Sequence, residues 1–451
     1  MVEVPIKIYI INLTKIARAA ARQVALLSTT VKNHALLEMA QRLTASEEAI
    51  LEANREDVLA VGKTLDREAN QEAVVRISLT AESIKEMDER LRQIADLPDP
   101  VGEQTKLWQR PNGMQVSRVR VPIGVIGVIS EMGPNVMIES MALCLKSGNP
   151  CVFRGNPECV LTLTIIAKIL CEAAEQAGVP AGAITFVERV EREAAVELMR
   201  QHQTLAAIIA RGGAGLRKAV AEQTRLPILC HDSGISHIYI DVDADLPLAQ
   251  NVVVNSKAQL ASASNSVDTL LVHQSIPRTF LSGLVRRLLD EFKIEVRGCP
   301  KTISLAGAEQ LSGYKSAIAA SEEDWSRQFL GPIIAVKLVK DMDEALDHIA
   351  RYGPSHTDAI VTRQYASAMR FVREVDASAV MVNSSTRLHD GEQFGMGGQM
   401  GINTRRVHAR GPVGLEELTC EKYMVLGFGQ LCHPHPTPVT YEDALMLKHP
   451  G

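Results

Sequence analysis

Through the first hundred residues the apolar positions return at helical spacing. Over Ala17–Leu27, His34–Leu43 and Ser46–Val61, aliphatic side chains recur every three or four residues, with Glu and Arg between them. Thr80–Leu97 repeats the pattern behind a Thr-x-x-Ser start that suits a helix cap, and Pro98 and Pro100 close it. The polar stretch Val101–Ser117 follows, with Pro111-Asn112-Gly113 as a turn and Met114–Val121 as an edge strand. From Pro122 the pattern changes. Short apolar strands at Ile123–Ile129, Cys151–Arg154, Ile184–Glu188 and Leu205–Ala210 alternate with helices at Asn135–Ser147, Val160–Ala177 and Arg192–Gln201. Arg211-Gly212-Gly213-Ala214-Gly215 opens a further helix to Ala221, and Ile228 marks one more strand. A second run starts near Ala244, with helices at Leu248–Gln259, Thr279–Glu291, from Asp341, and at Tyr365–Val372. Its strands are Thr269–Val272, Ile333–Val336, Asp358–Thr362 and Val380–Asn383. Asp390–Arg410 reads as a Gly-rich polar loop, and beyond it only Glu416–Val425 carries a regular pattern. Strand and helix alternating at these lengths predict a doubly wound α/β architecture with parallel sheets.

Composition narrows the function. The chain has 451 residues, a soft prior of about three domain-sized units. With 48 Lys and Arg against 53 Asp and Glu, the formal charge is −5, which argues against a nucleic-acid binder. A hydrophobic fraction of 46% supplies a large core, and 4% aromatics leaves few stacking platforms. No apolar run approaches the roughly 18–20 residues of a membrane span. Val4–Leu13 is too short, and lacks the basic lead and cleavage site of a signal peptide. The eight cysteines form no CxxC pair, which predicts reduced thiols in a cytoplasmic protein.

Candidate chemistry is concentrated in a few places. The Gly212-Gly213-Ala214-Gly215 turn between strand and helix lets backbone N–H groups approach a phosphate, or is a tight turn only. Arg154 ends a parallel strand, where α/β ligands sit, or pairs with Glu158. Ser264-Asn265 lies in a small polar segment between a helix and a strand; a serine there is inert without a base, and no histidine lies nearby in sequence. Cys230-His231-Asp232 follows a strand and sets a thiol beside an imidazole, although sequence neighbours point in different directions. Cys432-His433-Pro434-His435 is a poor metal site, and no metal is expected.

Several stretches carry a resemblance. They are Val121–Ile129, Glu131 with Pro134-Asn135-Val136, Ala142–Asn149, Arg211–Leu216, His356 with Asp358–Thr362, Val382-Asn383 with Ser385-Thr386-Arg387, and His408–Leu418. In this order, over nearly the whole chain, the sequence resembles γ-glutamyl phosphate reductase, also called glutamate-5-semialdehyde dehydrogenase, a branch of the aldehyde dehydrogenase superfamily. The resemblance implies an aldehyde dehydrogenase-like fold: two doubly wound α/β domains plus a small β oligomerisation arm, assembled as a homodimer or homotetramer. Residues 1–242 would hold the N-terminal helices and the dinucleotide-binding domain, and 243–411 the catalytic domain. Residues 412–451 would return to the first domain or to the arm. It implies reduction of L-glutamyl 5-phosphate by NADPH, for proline biosynthesis. In that chemistry a Cys thiolate displaces phosphate, hydride reduces the thioester, and the thiohemiacetal collapses to the aldehyde.

The chain departs from the pattern at the reaction centre. The family's Cys position is Ser264, before Asn265, and Leu260-Ala261 replaces an Arg-Pro pair. Cys230 stands where the superfamily has an acidic residue, and Gln328 where a Glu usually meets the nicotinamide ribose. Gly133-Pro134-Asn135 stands for the Arg-Pro-Asn of the first crevice loop. Three readings follow: a working reductase of altered chemistry, in one version with the nucleophile moved to Cys230; a silent paralogue that still binds ligand or a partner subunit; or an enzyme for another acyl substrate. The expected cofactor contacts are Arg154, Gly212, Gly213 and Gln328. The expected reaction centre is Ser264, Asn265 and Cys230, and the expected substrate contacts are Asn135, Arg387 and Arg410.

Overall fold

The structure is a computed structural model that describes residues 4–63, 67–229, 234–305 and 317–431. Contacts divide the chain into two compact units, Met1–Ile228 with Gly414–Gly451, and Leu229–Val413.

The first unit opens with helices α1 (Ile6–Val24), α2 (Thr29–Ala45), α3 (Glu47–Gly62), α4 (Arg67–Ile77) and α5 (Ala81–Asp96). Thr80 and Ser83 form a reciprocal capping box that starts α5, as the Thr-x-x-Ser spacing predicts. α1 begins eleven residues before the sequence pattern places it. It buries Ile10, Thr14, Ala17, Ala20 and Val24, but Ile8 and Ile16 are exposed, so apolar residues on both faces blur the period. α4 has few apolar positions to betray it and buries Ala73 and Ile77. β1 (Gln104–Gln109) and β2 (Gln115–Pro122) form an antiparallel hairpin. β1 reads as a polar stretch because five of its six residues are exposed.

Next come β3 (Ile126–Ser130), α6 (Asn135–Lys146), β4 (Cys151–Arg154), α7 (Val160–Gln176), β5 (Ile184–Phe186), α8 (Arg192–Met199), β6 (Ala207–Arg211), α9 (Ala214–Gln223) and β7 (Ile228–Leu229). The sheet order is β5-β4-β3-β6-β7, with β3 parallel to both β4 and β6. The register pairs Ile129 with Arg154 and Ser130 with Arg211. Glu131, Arg154 and the Gly212-Gly213 turn therefore meet at the carboxyl ends of three adjacent strands. The stretch Ala142–Asn149 is scaffold. Lys146 Nζ donates to the Ala95 carbonyl (2.7 Å), and Asn149 Nδ2 to the Leu418 carbonyl (2.8 Å).

The second unit contains β8 (Ser236–Ile240), α10 (Leu246–Ala258), β9 (Thr269–His273), α11 (Arg278–Asp290), β10 (Glu295–Gly298), α12 (Pro300–Leu305), β11 (Ala317–Ala319) and β12 (Ile333–Val339). α13 (Met342–Tyr352), β13 (Thr357–Val361), α14 (Tyr365–Glu374), β14 (Ala379–Val382) and the short pair β15 (Ile402–Asn403) and β16 (Gly411–Pro412) complete it. The main sheet runs β11-β10-β12-β9-β8-β13-β14, and every neighbouring pair is parallel. Ile238, Ile240, Leu270 and Val336 face one core, and Tyr239, Leu271 and Ile360 the other. β8 has no counterpart in the sequence reading, because polar Ser236 and His237 interrupt its apolar run. Both are fully buried, and His237 Nδ1 lies 2.8 Å from the Asp358 carboxylate. A last strand, β17 (Thr419–Leu426), returns to the first unit and pairs antiparallel with β2, giving the sheet β1-β2-β17. No helix among the described residues is long and apolar enough to cross a membrane, and no cluster there could hold a metal.

Candidate active site

The first unit carries a cavity of about 730 Å³ at the carboxyl ends of its strands, lined in part by Glu131, Arg154, Asn156, Val190, Gly215 and Leu216. Arg154 is 7% exposed. It does not pair with Glu158, which takes Arg76 instead (2.9 Å). Its guanidinium donates to the Gly155 carbonyl (2.9 Å) and the Val190 carbonyl (2.8 Å). Burial lowers its pKa, against Glu131 and Glu191, and it remains a cation held only by neutral acceptors. Such a group suits a phosphate.

The glycine turn leads into α9 beside it. A Cβ on Gly212 would meet the Glu131 carboxylate and stand 2.8 Å from Leu216 Cδ2, so both side-chain ends would have to move aside. Gly213 N–H donates to Glu131 Oε2 (3.0 Å). The turn thus presents one backbone donor, which the Glu131 carboxylate occupies. Gly215 lines the cavity, and Gly212 and Gly213 do not. The cavity and its buried cation fit a dinucleotide phosphate. Asn135 opens α6 as an exposed residue and is not among the residues lining this cavity.

In the second unit, the candidates Ser264, Asn265 and Gln328 lie at the amino ends of the strands, beside Gly234, which the sequence analysis does not name. Ser264 and Asn265 precede β9, Gln328 precedes β12, and Gly234 precedes β8. Ser264 is partly exposed and Asn265 is buried. Asn265 Nδ2 donates to the His389 carbonyl (2.9 Å), and Asn265 Oδ1 accepts from Arg387 Nη1. Arg387 Nε donates to Gln259 Oε1 (2.8 Å). Ser256 in α10 pins this segment by bonding Ser385 Oγ (2.9 Å) and accepting the Thr386 N–H (3.1 Å). Burial lowers the Arg387 pKa, with Asp390 opposing, and the side chain stays cationic beside Ser264's neighbour. Gln328 Nε2 donates to the Ser264 carbonyl (3.4 Å). A Cβ on Gly234 would collide with that amide and stand 2.9 Å from the same carbonyl oxygen.

Arg410 stands apart from this group. It pairs with Asp376 (2.8 Å) and donates to the Asp376 carbonyl (3.2 Å), so its charge is already taken up rather than left for a ligand. Cys230, with His231 and Asp232, lies outside the described residues, as does Cys432-His433-Pro434-His435. Burial pushes the thiols of Cys159 and Cys171 up to about 12, which leaves both as thiols rather than nucleophiles at neutral pH.

Three charged residues next to these groups are not among the candidates from the sequence: Glu131, Lys257 and Asp268. Glu131 acts on a turn 82 positions away, and only strand pairing brings them together. Lys257 and Asp268 carried a local signal. One is a lone cation in an apolar helix, and the other a lone acid immediately before a strand.

Comparison with known proteins places these observations. The aldehyde dehydrogenase family model matches residues 10–323 and 316–423. A gamma-glutamyl phosphate reductase of Heliobacterium modesticaldum is 45% identical over 92% of this chain and 97% of its own length. One from Thermodesulfovibrio yellowstonii is 42% identical over 94% and 99%. The crystal structure of a gamma-glutamyl phosphate reductase from Thermotoga maritima superposes with a TM-score of 0.88 at 38% identity, covering 94% of this chain and all of that one.

Proposed function

Because the chain belongs to the aldehyde dehydrogenase family, and within it to the gamma-glutamyl phosphate reductases, we propose that it reduces L-glutamyl 5-phosphate to glutamate 5-semialdehyde and phosphate with NADPH, the reductive step toward proline. The observation that carries this reading is near-full-length identity of 42–45% with relatives of that name.

The residues have separate tasks. Bound dinucleotide supplies a hydride. Arg154 and the Gly212-Gly213 turn hold its phosphates, and the Arg154 cation, hydrogen-bonded only to neutral carbonyls, favours the phosphorylated form, NADPH over NADH. Arg387 receives an anionic group of the substrate. Its two hydrogen-bonded partners, Gln259 and Asn265, are neutral amides that leave its charge available. Asn135 supplies a polar contact at the start of α6. Ser264 occupies the nucleophile's position. A hydroxyl is a weaker nucleophile and a poorer leaving group than a thiolate, so the step at this position is slow. The exposed Tyr423, Val425 and Leu426 of β17 support assembly through the three-stranded sheet into a homodimer or homotetramer.

The reaction is tested in reverse. Wild-type protein given NADP⁺ and glutamate 5-semialdehyde is expected to form NADPH only when inorganic phosphate is also present. NADPH formation that ignores phosphate would replace this reading with a simple aldehyde dehydrogenase. No NADPH formation under any condition would leave a silent paralogue.

A further inference from the structure

The core of the second unit holds a cation–anion pair that the reaction as described does not use. Lys257, in the last turn of α10, is fully buried, and its Nζ has no hydrogen-bond partner. Asp268, the residue before β9, is 1% exposed, and its Oδ1 lies 3.8 Å from that Nζ. Apolar side chains of similar volume commonly replace such a pair without loss of stability. Stability alone is therefore a weak reason for it.

The carboxylate is tied to backbone on two sides. It accepts the Ser236 N–H at the start of β8 (3.3 Å) and the Phe329 N–H (3.0 Å). The Phe329 ring faces two cations, with its centroid 5.9 Å from Lys257 Nζ and 5.3 Å from the Arg297 guanidinium. The residue before Phe329 is Gln328, whose amide reaches the Ser264 carbonyl. Contacts thus run unbroken from Lys257 through Asp268 and the 328–329 segment to the peptide of Ser264. The loop is also fixed at its far end, because Val267 N–H donates to the carbonyl of Ser256, next to Lys257 (3.1 Å).

We propose that Lys257 and Asp268 are a positioning pair for residue 264. Lys257 keeps the buried carboxylate ionised, and the carboxylate holds the 328–329 segment so that Gln328 fixes the Ser264 peptide.

The charge states agree with this geometry. Burial pushes Asp268 up to about 6, with Lys257 the chief opposing influence. Burial pushes Lys257 down to about 8, with Asp268 opposing. The other charged or titratable groups facing the pair are His237 of β8, which lowers Asp268, and Arg297 of β10 across the Phe329 ring. Both members are therefore ionised between about pH 6 and 8. As pH falls through about 6, Asp268 gains a proton, its hold on the two N–H groups weakens, and the 264 segment loosens.

The test does not need turnover, although it rests on position 264 being the reaction centre. Ser264→Cys places a thiol there, and its alkylation by iodoacetamide is followed by mass spectrometry from pH 5 to 9. The same is done with Asp268→Asn, Asp268→Glu or Lys257→Met added. Beside the thiol's own titration, the profile is expected to show an inflection near pH 6. Asp268→Asn should change the rate at pH 7 by about fivefold, the effect of one lost hydrogen bond, and remove that inflection. Asp268→Glu should restore most of the rate, and Lys257→Met should move the inflection to higher pH. Should Asp268→Asn not fold, Lys257→Met decides alone. Profiles in the Asn and Met backgrounds that superimpose on that of Ser264→Cys by itself overturn the proposal. A shifted profile in a protein that never forms NADPH leaves the positioning pair standing and the reductase reading fallen.

Discussion

Arg387 shows how much one side chain can carry. Its guanidinium is half-buried, bonded to Gln259 and Asn265, and directly adjacent in structure to the residue after Ser264. Arg387→Ala removes a cationic donor worth about 1.5–3 kcal/mol to an anionic partner, so KM for the semialdehyde should rise roughly ten- to a hundredfold in steady-state assays. An unchanged KM would remove Arg387 from the substrate site. Of the candidate residues Ser264, Asn265 and Arg387, the structure links Asn265 to Arg387 and to the His389 carbonyl. The sequence was uninformative where a partner comes from distant chain. The charge of Arg410 could not be assigned without Asp376, which lies 34 positions away. Gln328 was expected at a cofactor ribose, and its visible bond is to the Ser264 carbonyl.

Among the elements, the β6–α9 turn ties two strands together. The φ of Gly212 is not among the positive ones, and a Cβ there would meet the far ends of the Glu131 and Leu216 side chains. Gly212→Ala should push both aside, at little cost in stability, and disturb the bond from the Gly213 N–H to Glu131. Calorimetry should then show NADP⁺ bound about tenfold more weakly. Wild-type affinity would mean that the turn does not touch the cofactor. Elements with strong periodicity were legible: α6, α7, β4 and β9 lie within a residue or two of their sequence positions. Those missed each have a physical cause. β1 is nearly all exposed, and β8 is a buried strand whose polar residues find internal partners. β10 and β11 are four- and three-residue strands too short to show a period. The two units place their candidate residues at opposite ends of their strands. Arg154 and the glycine turn lie at carboxyl ends, whereas Ser264, Gln328 and Gly234 precede strands.

For the whole molecule, the fold is that of the aldehyde dehydrogenases, and its frame is retained in detail. The parallel sheets carry the glycine turn in the first unit and the Arg387 segment beside Asn265 in the second, where residue 264 bears a hydroxyl. The alternation of strand and helix gave the fold class, and the long stretches from Val121 to Leu418 gave the family. Neither shows how a serine performs at that position, because the groups around it come from the segments before β8 and β12 and from residues 385–389. The most direct measurement compares NADPH formation from NADP⁺, phosphate and glutamate 5-semialdehyde by wild type, Ser264→Cys, Ser264→Ala and Cys230→Ala. If residue 264 is the reaction centre, Ser264→Cys is faster than wild type by about tenfold or more, a barrier lowered by at least ~1.4 kcal/mol. Ser264→Ala is then inactive, and Cys230→Ala matches wild type. Activity that survives Ser264→Ala but is lost in Cys230→Ala would contradict the account and move the chemistry to the other thiol.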